Sequence, residues 1–119
     1  MSQIKRPENK HAAYHAHVYF DEDSKEVARA LCAEVANRFK LKVGRFNEKL
    51  VGPHPMWSFQ VIFAENHFDD FIPWLDQNRQ GLTVLVHALT GDDLTDHTEY
   101  AYWLGRSVDL NLDIFVNQT

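Results

Sequence analysis

Five of the seven histidines stand in short, distinctive contexts: His15 and His17 in Tyr-His-Ala-His, His54 in Gly-Pro-His-Pro, His87 in Val-Leu-Val-His-Ala and His97 in Asp-His-Thr-Glu. Imidazole is the commonest biological metal ligand, and its ordinary pKa lies near neutrality. A fold that gathers several of these residues therefore builds a metal site or a proton-transfer site. His11 and His67 read as surface residues. The single cysteine, Cys32, falls inside an apolar helical stripe and reads as core rather than as a nucleophile.

The elements that must position these side chains follow from periodicity. Tyr14, Ala16, Val18 and Phe20 alternate with His15, His17 and Tyr19, which predicts a strand with its apolar face toward the core and both histidines on the other face. Asp23 and Glu26 have capping-box spacing, and Val27, Ala28, Leu31, Cys32, Val35, Ala36 and Phe39 recur at helical spacing behind them. A second strand is expected within Val43 to Val51, ended by Gly52-Pro53-His54-Pro55, whose prolines remove donors and restrict their neighbours. Trp57, Phe59, Val61 and Phe63 alternate as a third strand. A helix over about Asp69 to Arg79, stopped by Gly81, and a nearly all-apolar strand over Leu82 to Leu89 complete a β-α-β-β-α-β order.

That order predicts an α+β, ferredoxin-like antiparallel sheet. An extra C-terminal short helix and strand are expected after it: Asp96 and Glu99 form a second capping box opening a helix to Leu104, and Val108, Leu110, Leu112 and Ile114 alternate as a fifth strand. In this topology both helices cover one sheet face, and the first and fourth strands are antiparallel neighbours. If the parity of Thr83, Leu85 and His87 is the uncovered one, His15, His17 and His87 converge with opposing Cβ atoms about 5 Å apart. That separation suits a shared metal at about 2.1 Å from each ligating nitrogen. His97, first after an expected N-cap, would feel the positive end of a helix dipole, which favours the neutral ring. His54, between two prolines, would be held at low entropic cost.

Plainer readings stand beside these. His15 and His17 could be only the polar side of an amphipathic strand, His87 a hydrogen-bonded core residue, His54 a turn residue and His97 a surface residue at a helix start. Trp57, Trp74 and Trp103 suit core or interface anchoring as well as ligand stacking.

Composition bounds the rest. The chain has 119 residues, 45% hydrophobic and 13% aromatic, enough for one core. A net charge of −5 with scattered basic residues argues against nucleic acid and anionic membranes. One cysteine excludes an internal disulfide framework. No apolar run approaches the ~20 residues of a membrane span, and no signal-peptide pattern precedes the first strand, so a cytoplasmic location is expected. Residues 1–11 read as a flexible N-terminal arm and 12–119 as a single domain.

The motifs Tyr-His-Ala-His-Val-Tyr-Phe-Asp (14–21), Val-Gly-Pro-His-Pro (51–55), Phe-Gln-Val (59–61), Val-Leu-Val-His (84–87), Thr-Gly-Asp (90–92), Asp-His-Thr (96–98) and Trp-Leu-Gly (103–105) occur in order along the chain. Together they resemble the DOPA 4,5-dioxygenase family of small fungal and bacterial proteins, over about residues 12 to 114. Ala88 stands where relatives often have a proline after the histidine.

The resemblance implies a ferredoxin-like domain, a homodimer, and a non-haem Fe(II) enzyme that uses O2 for extradiol cleavage of a catechol such as DOPA. The family's histidine motifs fall on His15, His17, His54, His87 and His97. On this view His17, His87 and His15 ligate iron or another divalent metal, with Glu99 as an alternative carboxylate ligand. His54 or His97 would serve as acid and base. Trp57 or Tyr19 would stack on the substrate ring, and Arg45 would pair with a substrate carboxylate. Two other readings remain open at this point: a different small-molecule enzyme, and a non-catalytic domain that binds a metal or a small aromatic.

Overall fold

In the computed structural model, which describes residues 5–116, the alternation of Tyr14 to Phe20 forms strand β1 (Ala13–Phe20). It is followed by α1 (Lys25–Phe39), β2 (Lys42–Asn47), β3 (Trp57–Ala64), α2 (Glu65–Asn78), β4 (Val84–Ala88), α3 (Asp93–Asp96), β5 (Ala101–Leu104) and α4 (Asp113–Val116). The strands lie in the order β2-β3-β1-β4-β5, all pairs antiparallel. This is the expected ferredoxin-like α+β arrangement with one strand added beside β4.

The main core lies between the sheet and the two long helices. Tyr14, Ala16, Val18 and Phe20 of β1 meet Ala28, Leu31 and Val35 of α1, and Phe68, Phe71, Ile72 and Leu75 of α2. Full burial of each large apolar side chain contributes about 1.5–3 kcal/mol. Val84 and Val86 of β4 join this core, whereas Leu85 belongs to a second cluster on the other face with Tyr19, Ala101 and Trp103. Met56, Val108 and Leu110 pack onto that second cluster. The sheet face opposite the helices is therefore covered in part by the chain itself.

Helix starts depart from the sequence reading. The N-cap of α1 is Ser24, without a side-chain cap. The Asp21 carboxylate instead accepts hydrogen bonds from the Ser24 N–H and hydroxyl, both at 2.9 Å. Helix α2 begins at Glu65 rather than near Asp69, so Pro73 lies inside it. Pro73 and Asp69 are both exposed, which lets water meet the carbonyl that proline cannot bond.

The C-terminal quarter differs most. The expected helix from Asp96 to Leu104 is instead the end of α3 followed by β5, and the expected strand over Ser107 to Phe115 is an irregular segment leading into α4. Gly105, at φ +87°, turns the chain out of β5, and a Cβ there would lie 2.8 Å from an Arg79 guanidinium nitrogen. The segment then crosses the sheet face, where the Asn111 N–H donates to the Pro53 carbonyl at 2.8 Å. Part of the stretch read as a loose arm is also tied down: the Trp103 N–H donates to the Lys5 carbonyl at 2.7 Å, and Arg6 pairs with Asp76 at 2.6 Å. Among the described residues, no helix is long and apolar enough to cross a membrane.

Candidate metal centre

Strand register places the first three histidines. His15 stands directly opposite His87 in the β1–β4 ladder, and His17 stands opposite Leu85, diagonal to His87. The parity of β4 is thereby resolved: Val84 and Val86 face the helices, while Leu85 and His87 share the face of His15 and His17. One imidazole nitrogen from each of His15, His17 and His87 lies within 4.8 Å of the other two. Three nitrogens about 2.1 Å from one ion stand roughly 3.0–3.4 Å apart, so only a small contraction would make them a common ligand set.

The closest pair is already at that spacing, with 2.9 Å between His17 Nε2 and His87 Nε2. His87 Nδ1 is 2.9 Å from the Ala88 carbonyl oxygen, which can only accept, so the Nδ1 proton is donated there and Nε2 is left bare. This is the outer-partner arrangement that orients histidine ligands in metal sites. The one proton of neutral His17, on Nε2, fills the 2.9 Å contact, and for both Nε2 atoms to ligate an ion His17 would take the tautomer with its proton on Nδ1.

Two further imidazoles close the group. The turn at Val51 to His54 is fixed by the bond from the His54 N–H to the Val51 carbonyl, with Gly52 at φ +56°. It brings the His54 ring to 4.1 Å from that of His17. The Tyr19 hydroxyl, on the same face of β1, is 2.7 Å from His54 Nδ1. His97 packs its ring 4.0 Å from that of His87, and Phe115 of α4 covers it at 4.7 Å.

His97 is not where a helix dipole would act as expected. It is the C-cap of α3, whose N-cap is Asp92, with the Asp92 carboxylate accepting from the Thr95 N–H. Its ring is oriented by the backbone instead: Nδ1 lies 2.7 Å from the Asp93 carbonyl, so Nδ1 carries a proton donated there and Nε2 faces away from that bond.

Burial favours the neutral form of His15, His17, His54 and His87. Desolvation, reinforced by the neighbouring imidazoles, holds His17 well below the usual histidine range. The same cause, helped by His97 and His15, pushes His54 down to about 4. His87 is pushed down to about 3 by burial and by His97, against the opposing effect of the Ala88 carbonyl. His15 is lowered mainly by burial. Neutral imidazoles are the form that ligates or accepts a proton. The Tyr19 phenol is driven up by burial and stays protonated.

Among the described residues, no carboxylate joins the set. Asp96, almost fully buried, is occupied by Thr90, whose N–H and hydroxyl donate to it at 2.9 and 2.7 Å. Glu99 is exposed, its carbonyl accepts from the Lys5 ammonium, and it lines a cavity with Glu8, Lys10 and Tyr100, away from the histidines. Trp57 packs edge-on against Phe20 in the helix-side core, so its ring faces away from them. Arg45 is exposed on β2, with β3 between it and β1. On the histidine side, a cavity of about 540 Å³ opens at His97, lined also by Trp103, Val108, Leu110, Lys5 and Asp109. Phe115 and Asp93 had no signal in the sequence, because Phe115 reaches His97 only through the path of the irregular segment into α4 and Asp93 acts through its backbone carbonyl.

A family model for the Dopa 4,5-dioxygenase family matches residues 14–114. The chain is 37% identical over 114 residues to an uncharacterized 21.2 kDa protein of Botryotinia fuckeliana, covering 86% of this chain and 62% of that one. It is 38% identical over 68 residues to the DOPA 4,5-dioxygenase of Amanita muscaria, covering 57% of this chain and 30% of that one. The chain thus spans less than two thirds of either relative. A Nostoc punctiforme PCC 73102 protein, provisionally described as a dioxygenase, has a crystal structure that superposes with a TM-score of 0.84 at 46% identity, covering 90% of this chain and 92% of that one.

Proposed function

We infer that this chain, which belongs to the Dopa 4,5-dioxygenase family, is a dioxygenase that opens the ring of a catechol at a divalent iron held by His17, His87 and His15. The observation that carries the reading is the convergence of three nitrogens within 4.8 Å, two of them at 2.9 Å, with His17 and His87 buried and His15 half-buried. An all-imidazole set suits Fe(II) and leaves coordination positions free. When bound, iron supplies the Lewis acidity that favours the catecholate and the redox chemistry that activates O2.

The chain's own residues supply the rest. His87 is held by Ala88 so that its bare Nε2 faces His17. His97, its Nδ1–H held by the Asp93 carbonyl, lies beside the cavity and in its neutral form is placed to take a proton on Nε2 from a catechol hydroxyl. Trp103, Val108 and Leu110 give that cavity an apolar wall able to hold an aromatic ring and to restrict water. Its volume of about 540 Å³ is ample for a catechol with a short side chain.

The test is isotopic. The protein, loaded anaerobically with Fe(II), is given a catechol panel including DOPA under 18O2, and products are read by mass spectrometry. Ring-opened product carrying both labelled atoms supports the reading. A simple quinone without label, or a ring-opened product with no label in its new carboxylate, contradicts it; the new aldehyde or ketone oxygen exchanges with water and does not count.

A further inference from the structure

The two histidines beside the candidate metal set are held by different hydrogen-bond partners, a hydroxyl for His54 and a backbone carbonyl for His97. We propose that Tyr19 is a positioning residue that fixes His54 as a hydrogen-bond donor to the ligand, leaving His97 as the only base of the pair. This rests on the reading given under Proposed function, and it goes beyond it by assigning which nitrogen of each ring carries a proton.

The argument for His97 is direct. A carbonyl oxygen cannot donate, so the 2.7 Å contact between His97 Nδ1 and the Asp93 carbonyl requires a proton on Nδ1, and whenever the ring is neutral its lone pair is on Nε2. For His54 the partner is a hydroxyl, which could act either way, and burial decides. Tyr19 is 1% exposed, and His54 Nδ1 is the hydroxyl's one hydrogen-bond partner among the described residues. If the hydroxyl accepted from Nδ1–H, its own proton would be buried unpaired, at a cost of about 1–3 kcal/mol. It therefore donates, Nδ1 is bare, and the proton of His54 sits on Nε2.

Among the described residues, neither His54 Nε2 nor His97 Nε2 has a protein partner, and neither is a buried unsatisfied atom. Both nitrogens are thus left for a ligand. The His54 ring lies between Tyr19 and the metal set, with ring centres 5.5 Å from Tyr19 and 4.1 Å from His17, and 6.5 Å from His97. A neutral ring with Nε2–H cannot accept a proton there, and giving one up would leave an imidazolate. It can hold a developing negative charge on oxygen by donating a hydrogen bond. His97, with the reverse tautomer, can accept the hydroxyl proton and return it.

The experiment is long-range 15N–1H NMR on histidine-labelled protein, wild type and Tyr19→Phe, metal-free and loaded with Zn(II) as a diamagnetic probe, with His54→Gln to assign the resonance. The expected wild-type result is His54 with bare Nδ1 and protonated Nε2, and His97 with the reverse. In Tyr19→Phe, His54 should become a mixture of tautomers while zinc stoichiometry is unchanged. In the iron-loaded protein, kcat should fall about tenfold, equivalent to one hydrogen bond, with KM little changed. Wild-type His54 protonated on Nδ1, or a tautomer unmoved by Tyr19→Phe, overturns the proposal. Failure of the wild type to bind zinc would instead count against the metal site itself and would leave the tautomer result readable in the metal-free protein.

Discussion

His17 Nε2 lies 2.9 Å from His87 Nε2, across two neighbouring strands and diagonal in register, with His87 turned into place by the Ala88 carbonyl. Two bare-lone-pair positions at that distance are costly to bury unless something shares them, a proton or a metal ion. The main helical core is built elsewhere, on the far side of the sheet.

Removing either ring should therefore act on metal binding before stability. His17→Ala and His87→Ala should each weaken Fe(II) or Zn(II) binding by at least about 100-fold, beyond the cost of losing an outer partner. Titration calorimetry reads the affinity, and far-UV circular dichroism checks that the fold persists. Wild-type affinity in either folded variant would contradict the ligand assignment.

Acid should destabilise the metal-free protein. His15, His17, His54 and His87 are all held below the ordinary value in the folded state, His54 at about 4 and His87 at about 3. Above about pH 6.5 both folded and unfolded chains have these groups neutral, so they give no pH dependence. Below it the unfolded chain binds more protons, and stability falls until the folded values are reached. Urea midpoints should drop steadily from pH 7 to pH 5, and bound metal should steepen the drop as protons compete for the ligands. A flat profile over that window would show that the imidazoles are not buried as described.

Asp96 and Glu99 should separate structure from ligation. Asp96→Ala leaves the Thr90 N–H and hydroxyl without their acceptor and should cost roughly 1–3 kcal/mol in chemical denaturation. Its metal stoichiometry should stay at the wild-type value. Glu99→Gln should change neither quantity measurably. Loss of metal in either variant would mean that a carboxylate completes the set.

How far the sequence revealed this arrangement depends on whether an element had one buried face or two. Strand β1 was legible because Tyr14, Ala16, Val18 and Phe20 face the helices while His15 and His17 face away. Strand β4 is buried on both faces, so Leu85 and Val86 look alike in sequence and the side of His87 emerges only from its pairing with His15. β5 is four residues, all buried, and reads equally well as the inside of a helix. The misplaced fifth strand has a physical cause as well. Val108 and Leu110 do alternate inward, but as an irregular segment laid across a surface, where no ladder is needed to produce the pattern. The motif draws attention to His97, yet its surroundings differ from those expected because Asp92, not Asp96, caps α3.

The central claim is that oxygen chemistry depends on iron in this histidine group, and oxygen uptake tests it most directly. Metal-free wild type, Fe(II)-loaded wild type and Fe(II)-treated His87→Ala would be compared with one catechol in an oxygen electrode. The account predicts uptake of one O2 per catechol in the iron-loaded wild type alone, with the other two samples at the background rate. Equal uptake without iron, or undiminished uptake in folded His87→Ala, would contradict it.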